Sequence, residues 1–189
     1  MRELFVTNLY EAEIGDGALL AELAHSIRTL AQDDEAGGRW SREHNYAGYT
    51  SYASLNDLPR RDPAIAALTK LLSRHATNFA RESGWEGRKP KVDSLWVNLL
   101  KSGGHHSGHI HPHSIISGVL YVEAPAGSGA IRFEDPRLPL MMAAPPRSDT
   151  FVDLQPRPGL LLMWESWLRH EVLPGDGRGE RLSVSFNFA

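Results

Sequence analysis

The feature that most constrains the fold is a change of rhythm near Ser94, where the helical spacing of the first half gives way to short strand-like segments separated by Gly, Pro, Ser and Asp. The segments cover 95–100, 115–122, 130–133, 150–154, 160–164 and 182–188, with a short one around 109–111. Many short strands joined by turns bury their apolar faces by forming a sandwich or a barrel. Upstream, Asp16 is placed to cap a helix in which Leu19, Leu20, Leu23, Ile27 and Leu30 recur at helical spacing, and Gly37-Gly38 is expected to stop it. Asp62-Pro63 opens a second helix, with Ile65, Leu68, Leu72, His75 and Phe79 stepping toward Gly84. Each helix carries one apolar stripe, so each must pack against something. The expectation is an α+β chain forming a single domain over 1–189, with 1–93 mainly helical support and 94–189 the β core. The stretch 136–158 holds six of the twelve prolines and reads as an ordered, irregular loop of the kind that often covers a site.

Composition removes several function classes. The chain has no cysteine, so disulfides, thiolate zinc sites and iron–sulfur clusters are excluded, and any metal must be held by nitrogen and oxygen. A formal net charge of -3 with both signs mixed along the chain offers no basic stripe for nucleic acid or an anionic membrane surface. The first residues lack a signal-peptide pattern, and no apolar run approaches the roughly 20 residues that span a bilayer. A cytoplasmic protein is expected; oligomeric state is open.

Five of the nine histidines lie between Gly104 and His113. On an extended segment, side chains two apart share a face, so His109 and His111 can present two imidazoles to one ion. His105 and His106, being neighbours, cannot both join them, and Pro112 disturbs a strand just before His113. His170 follows a buried-type strand and a turn, 61 positions after His109. Eleven residues later stands Arg181-Leu182-Ser183, where an arginine fork suited to a carboxylate shares a strand face with a hydroxyl donor. Trp96, Trp164 and Trp167 lie in or beside strands and read as core packing. Arg132, Arg137 and Arg147, near the proline-rich loop, hint at an anionic group in the primary substrate.

On these residues the sequence resembles the 2-oxoglutarate and iron(II)-dependent oxygenases, in particular a bacterial group of them. The resemblance runs from Gly48 to the end and is densest at Trp96-Val97-Asn98, His109-Ile110-His111-Pro112, Ser117–Val122, Phe133–Arg137, Ser166–His170 and Glu180–Asn187. It implies a double-stranded β-helix, the jelly-roll or cupin-like barrel, with N-terminal helices supporting it. It implies His109 and His170 as iron ligands, Arg181 with Ser183 as the anchor of the distal carboxylate of 2-oxoglutarate, and Asn98 and Tyr121 facing the same co-substrate. Ser117, Asp135 and Arg137 are candidate substrate contacts. The pattern usually has a carboxylate where this chain has His111. Its spacing suits a third ligand; a two-histidine site, or Asp135 reaching in from its loop, are the other readings. No catalytic residue beyond the metal ligands is implied.

The implied activity couples oxidative decarboxylation of 2-oxoglutarate, with iron(II) and O2, to hydroxylation of a small-molecule or peptide substrate. Halogenation is disfavoured because it calls for a small residue where His111 stands. Two alternatives need no 2-oxoglutarate: a cupin-type metalloenzyme and a non-catalytic metal- or ligand-binding barrel. Arg181 separates them from the oxygenase.

Overall fold

The computed structural model describes residues 1–85, 87 and 89–189. Ten strands and five helices follow one another in the order β1 (Leu9–Glu13), α1 (Gly17–Asp33), α2 (Glu35–Glu43), β2 (Gly48–Thr50), α3 (Leu58–Arg61), α4 (Pro63–Glu82), β3 (Val92–Leu100), β4 (His106–His109), β5 (Ile116–Glu123), β6 (Ile131–Glu134), α5 (Leu140–Ala143), β7 (Phe151–Leu154), β8 (Leu160–Glu165), β9 (His170–Val172) and β10 (Arg181–Phe188), counted among the described residues. They form a six-stranded sheet in the order β1-β8-β5-β10-β3-β2 and a four-stranded sheet in the order β4-β9-β6-β7. All pairings are antiparallel. This is the double-stranded β-helix with a helical N-terminal half.

The two-residue period of the strands decides what each face of the large sheet does. Leu182, Val184, Phe186 and Phe188 of β10, Leu120 and Val122 of β5, and Leu161 and Met163 of β8 share one cluster with the stripes of α1 and α4, including Leu23, Ile27, Leu68 and Leu72. The alternate residues turn the other way. Val119, Tyr121, Leu160, Leu162 and Trp164 meet Ile131 and Phe133 of the small sheet and Leu168 in a second cluster. Arg181, Ser183 and Ser185 have the same parity as these, so the alternation that packs β10 on the helices sends its polar residues between the sheets.

The two helices expected from sequence are present, with Asp16 and Asp62 accepting from Leu19 N and Ile65 N as N-caps. Their surroundings differ from expectation in three ways. Gly37-Gly38 does not stop α1, which ends at Asp33; both glycines lie inside α2. Asp34 makes the break, accepting from Gly37 N as the cap of α2 while its other oxygen accepts from Tyr49 and Ser54. Gly37 is required by close approach, since a Cβ there would lie 2.8 Å from the Tyr49 ring and closer still to the Asp34 carboxylate. Second, the first 93 residues also contribute β1 and β2, the two edges of the large sheet. Third, the proline-rich 136–158 stretch contains α5 as well as β7. Among the described residues no helix is long and apolar enough to cross a membrane.

Candidate metal centre and its pocket

The small sheet brings His109 and His170 together by register: His109 closes β4, His170 opens β9, and the two are directly paired across the ladder. His111 arrives differently. The expected strand around 109–111 is shifted, because β4 runs from His106 to His109 and stops before His111. His111 N donates to Ser166 O, and Ser166 N donates to Ile115 O, so two backbone bonds tie the loop after β4 to the turn before β9. The result is a group of three imidazoles whose ligand atoms all lie within 4.8 Å of one another.

Their geometry suits a cation. His111 Nε2 and His170 Nε2 are 3.3 Å apart, close to the roughly 3 Å expected for adjacent nitrogens about 2.1 Å from a shared ion. His109 Nδ1 faces Ser107 O at 2.7 Å and His170 Nδ1 faces Leu168 O at 2.9 Å. Each of those nitrogens must therefore carry the proton, which leaves the Nε2 lone pair for a metal. Burial holds two of the imidazoles neutral as well, pushing His170 down to about 3 and His111 down to about 4. Metal ligation requires neutral imidazole, so His170 and His111 need not be deprotonated first at neutral pH. The rings are clamped: Trp164 meets His170 edge to face at 4.6 Å, and Trp96 lies 6.0 Å from His111.

Behind the histidines a pocket runs between the sheets to Arg181. Its lining includes the three histidines, His106, Trp164, Tyr121, Ser183 and Arg181, with Val119, Ile131 and Val172 as apolar walls. Arg181 is 5% exposed. Its Nη1 donates to Gly129 O at 3.1 Å, and its guanidinium stands over the Tyr121 ring at 5.7 Å. Arg181 Nε and Trp164 Nε1 are buried donors with no partner among the described residues. Unsatisfied buried donors are costly, and a carboxylate bound beside Arg181 would give its Nε the acceptor it lacks. Burial pushes the Tyr121 phenol up to about 12, against the nearby Arg181 cation, so this hydroxyl stays protonated.

Of the residues anticipated from sequence, His109, His111, His170, Arg181, Ser183 and Tyr121 converge on this pocket. Four do not. Asn98 shares the inner face of the large sheet with its ladder partner Ser183, but its side chain is taken up by Thr50 Oγ1 and Tyr46, from which it accepts, and Ser185, to which it donates, and it lines an outer cleft rather than the inner pocket. The Ser117 hydroxyl is taken up by Asn187 and Ser166. Asp135 pairs with Arg137 at 2.6 Å and lies outside the histidine group. Both border a broad groove that also takes in the N-terminal residues and Arg147. Trp167, expected in the core, is largely exposed and donates to Glu165.

Two contributors were missed. His106 lines the inner pocket, and Tyr46 lies against its Nε2 at 2.9 Å. Burial lowers His106 to about 3, with the Arg181 cation acting in the same direction. Strict alternation would put His106 and His109 on opposite faces, but the ladder slips between them and both turn inward. No pattern in the sequence announces that slip.

Residues 94–187 match the model of a family described as "Putative 2OG-Fe(II) oxygenase". No curated protein matches the chain. Among solved structures, a Pseudomonas putida prolyl-4-hydroxylase aligns at 16% identity over 97% of this chain and 92% of that one, with a TM-score of 0.64. The non-haem α-ketoglutarate-dependent epimerase SnoN from nogalamycin biosynthesis aligns at 16% identity over 97% and 78%, with a TM-score of 0.67. HygX from Streptomyces hygroscopicus, solved with nickel and 2-oxoglutarate bound, aligns at 13% identity over 97% and 82%, with a TM-score of 0.61. At such identities the likeness is one of fold. The family match covers β3 to β10, the strands that carry the histidines and Arg181, and with it the chain belongs to the 2OG-Fe(II) oxygenases.

Proposed function

We propose that the protein is a hydroxylase in which His109, His111 and His170 hold iron(II), while Arg181 and Ser183 bind the distal carboxylate of 2-oxoglutarate. The observation that carries this reading is one pocket between the sheets with three clustered imidazoles at one end and, at the other, a buried arginine whose Nε has no partner among the described residues. A barrel that bound only a metal would have no use for that arginine. When bound, iron(II) with 2-oxoglutarate would supply the activation of O2 needed to oxidise a C–H bond of the substrate.

The residues themselves position and exclude. Gly129 O fixes one arm of Arg181, which leaves the remaining donors free for a carboxylate. Tyr121 holds the guanidinium from one side through its ring face. Val119, Ile131, Val172 and Trp164 keep the pocket apolar between its two ends, so a charged co-substrate placed there is shielded from water and held by few, strong contacts. His106 and Tyr46 lie beside Arg181 and stay uncharged, which adds no competing cation.

Anaerobic addition of iron(II) and 2-oxoglutarate tests the reading, because their chelate has a visible charge-transfer band. The wild type is expected to develop the band and His170→Ala to lose it. Arg181→Ala should still bind iron but need on the order of a hundredfold more 2-oxoglutarate, the scale for deleting a buried charge-assisted pair. A band that forms in Arg181→Ala at wild-type co-substrate concentrations would overturn the assignment of the anchor.

A further inference from the structure

His109 and His111, together with Trp96 and His106, also border a second, open cleft of about 770 Å³ whose lining does not include Arg181. Aromatic rings lead into it. Ring centroids are 6.5 Å apart from Trp40 to Tyr52, 5.3 Å from Tyr52 to Trp96 and 6.0 Å from Trp96 to His111, so a chain of tilted and edge-to-face aromatic contacts ends on a candidate ligand. Trp40 is held by stacking on His44 at 4.1 Å. The other polar lining groups are neutral, among them Thr50, Ser94, Asn98 and Ser114. Apart from the histidines, Asp93 is the one charged residue in the lining among the described residues, and among them no Arg or Lys lines the cleft. Asp93 is exposed, and among the described residues no cation pairs with it.

The arginines that hinted at an anionic substrate are disposed differently. Arg132 pairs with Asp153, Arg137 with Asp135 and Arg147 with Asp149. None of them borders the aromatic cleft.

We propose that this cleft receives the primary substrate, and that the substrate carries an amine or alkylammonium group on a flat or apolar body. The inference rests on the histidine group being the iron site. Aromatic faces bear the negative side of the ring quadrupole and attract a cation, and Asp93 attracts it again. An anion would meet repulsion from both. A neutral ring could stack on Trp40, Tyr52 and Trp96 but would leave the carboxylate unused. The recognised cation is thus an ammonium held against the rings and Asp93, with the rest of the substrate extending toward His111.

Calorimetric titration of the anaerobic protein loaded with iron(II) and 2-oxoglutarate tests this with three probes of similar size: benzyltrimethylammonium, benzyl alcohol and phenylacetate. The ammonium should bind about tenfold more tightly than either of the others, the scale of a partly desolvated cation–π contact reinforced by a carboxylate. Asp93→Asn, at an exposed position, should reduce that preference to roughly threefold or less. A lysine-containing pentapeptide separates the two sources of such a group: tighter binding than benzyltrimethylammonium points to a peptide side chain, and weaker binding to a free amine. Phenylacetate or benzyl alcohol binding as well as the ammonium, no probe binding, or a preference untouched by Asp93→Asn would overturn the inference. The charge-transfer band is recorded on the same samples. If it forms while the ammonium shows no preference, the substrate assignment alone fails; if it does not form, the iron-site reading fails and this one with it.

Discussion

His111 is the residue at which this oxygenase departs from the usual pattern, and the departure has an electrostatic consequence. Replacing a carboxylate ligand by a neutral imidazole leaves a bound divalent ion with one more unit of positive charge, next to an anionic co-substrate. His111→Asp is therefore expected to retain iron while binding 2-oxoglutarate about tenfold more weakly, given the shallow distance dependence of charge interactions at a partly buried site. Titration of the charge-transfer band against co-substrate measures this; unchanged or tighter binding would mean that His111 does not sit on the ion. At this scale the sequence was informative where placement follows from residue type and spacing, as for His109, His170 and Arg181, which meet in one pocket. It was silent where a role depends on a local slip of the ladder. His106 turns inward only because pairing shifts between it and His109, and His111 is placed by its bonds to Ser166 rather than by the strand period.

Among the elements, the junction between α1 and α2 is the most dependent on one side chain. Asp34 caps α2 and ties it to Tyr49 and Ser54. Burial pushes its carboxyl up, but hydrogen bonds from Ser54, Gly37 N and Tyr49 outweigh that and hold it below its usual value. Asp34→Ala should cost about 2–3 kcal/mol, the sum of a lost cap and an abandoned buried hydroxyl. A group with a depressed folded pKa contributes stability that is present above its unfolded value, near 3.9, and is lost as pH falls through the lower folded value. The gap between wild type and Asp34→Ala in urea melts should thus be full at pH 6 and shrink below about pH 4; a gap that widens on acidification would contradict the account. Gly118 is the corresponding point in β5, since a Cβ there would lie 2.4 Å from the Phe186 ring and 2.6 Å from Leu162 O. Gly118→Ala should destabilise by roughly 1–3 kcal/mol through overpacking, read as a lower thermal midpoint.

The same elements show why some of the fold was hidden. The strands of the β core and the two main helices were legible because their apolar periods are long. β1 and β2 are five and three residues long and join the sheet only as edges, so neither carries a pattern of its own. α2 contains two glycines and opposes its own propensity; the Asp34 cap and packing against Tyr49 supply what the local sequence lacks.

Across the whole molecule the large sheet acts as a partition. One face rests on α1 and α4 and supplies most of the core, while the other lines the pocket that ends on Arg181. The histidines occupy the small sheet and the loop after β4, between the inner pocket and the aromatic cleft. On the readings proposed above, co-substrate and substrate would reach one ion from two adjoining hollows that share Trp96, His106, His109 and His111. The proline-rich stretch, expected over the site, instead borders the groove with the N-terminal residues, so its arginines have no part in the cleft. Strand order and long-range pairing made this division, and neither is written in the local spacing of residues. The central claim is that three histidines hold the metal. The most direct test is an anaerobic crystal structure with iron(II) and 2-oxoglutarate, using anomalous scattering to locate the ion. The account predicts the ion within bonding distance of His109, His111 and His170, with the distal carboxylate on Arg181; an ion bound by Asp135, or one that leaves His111 out of reach, would contradict it.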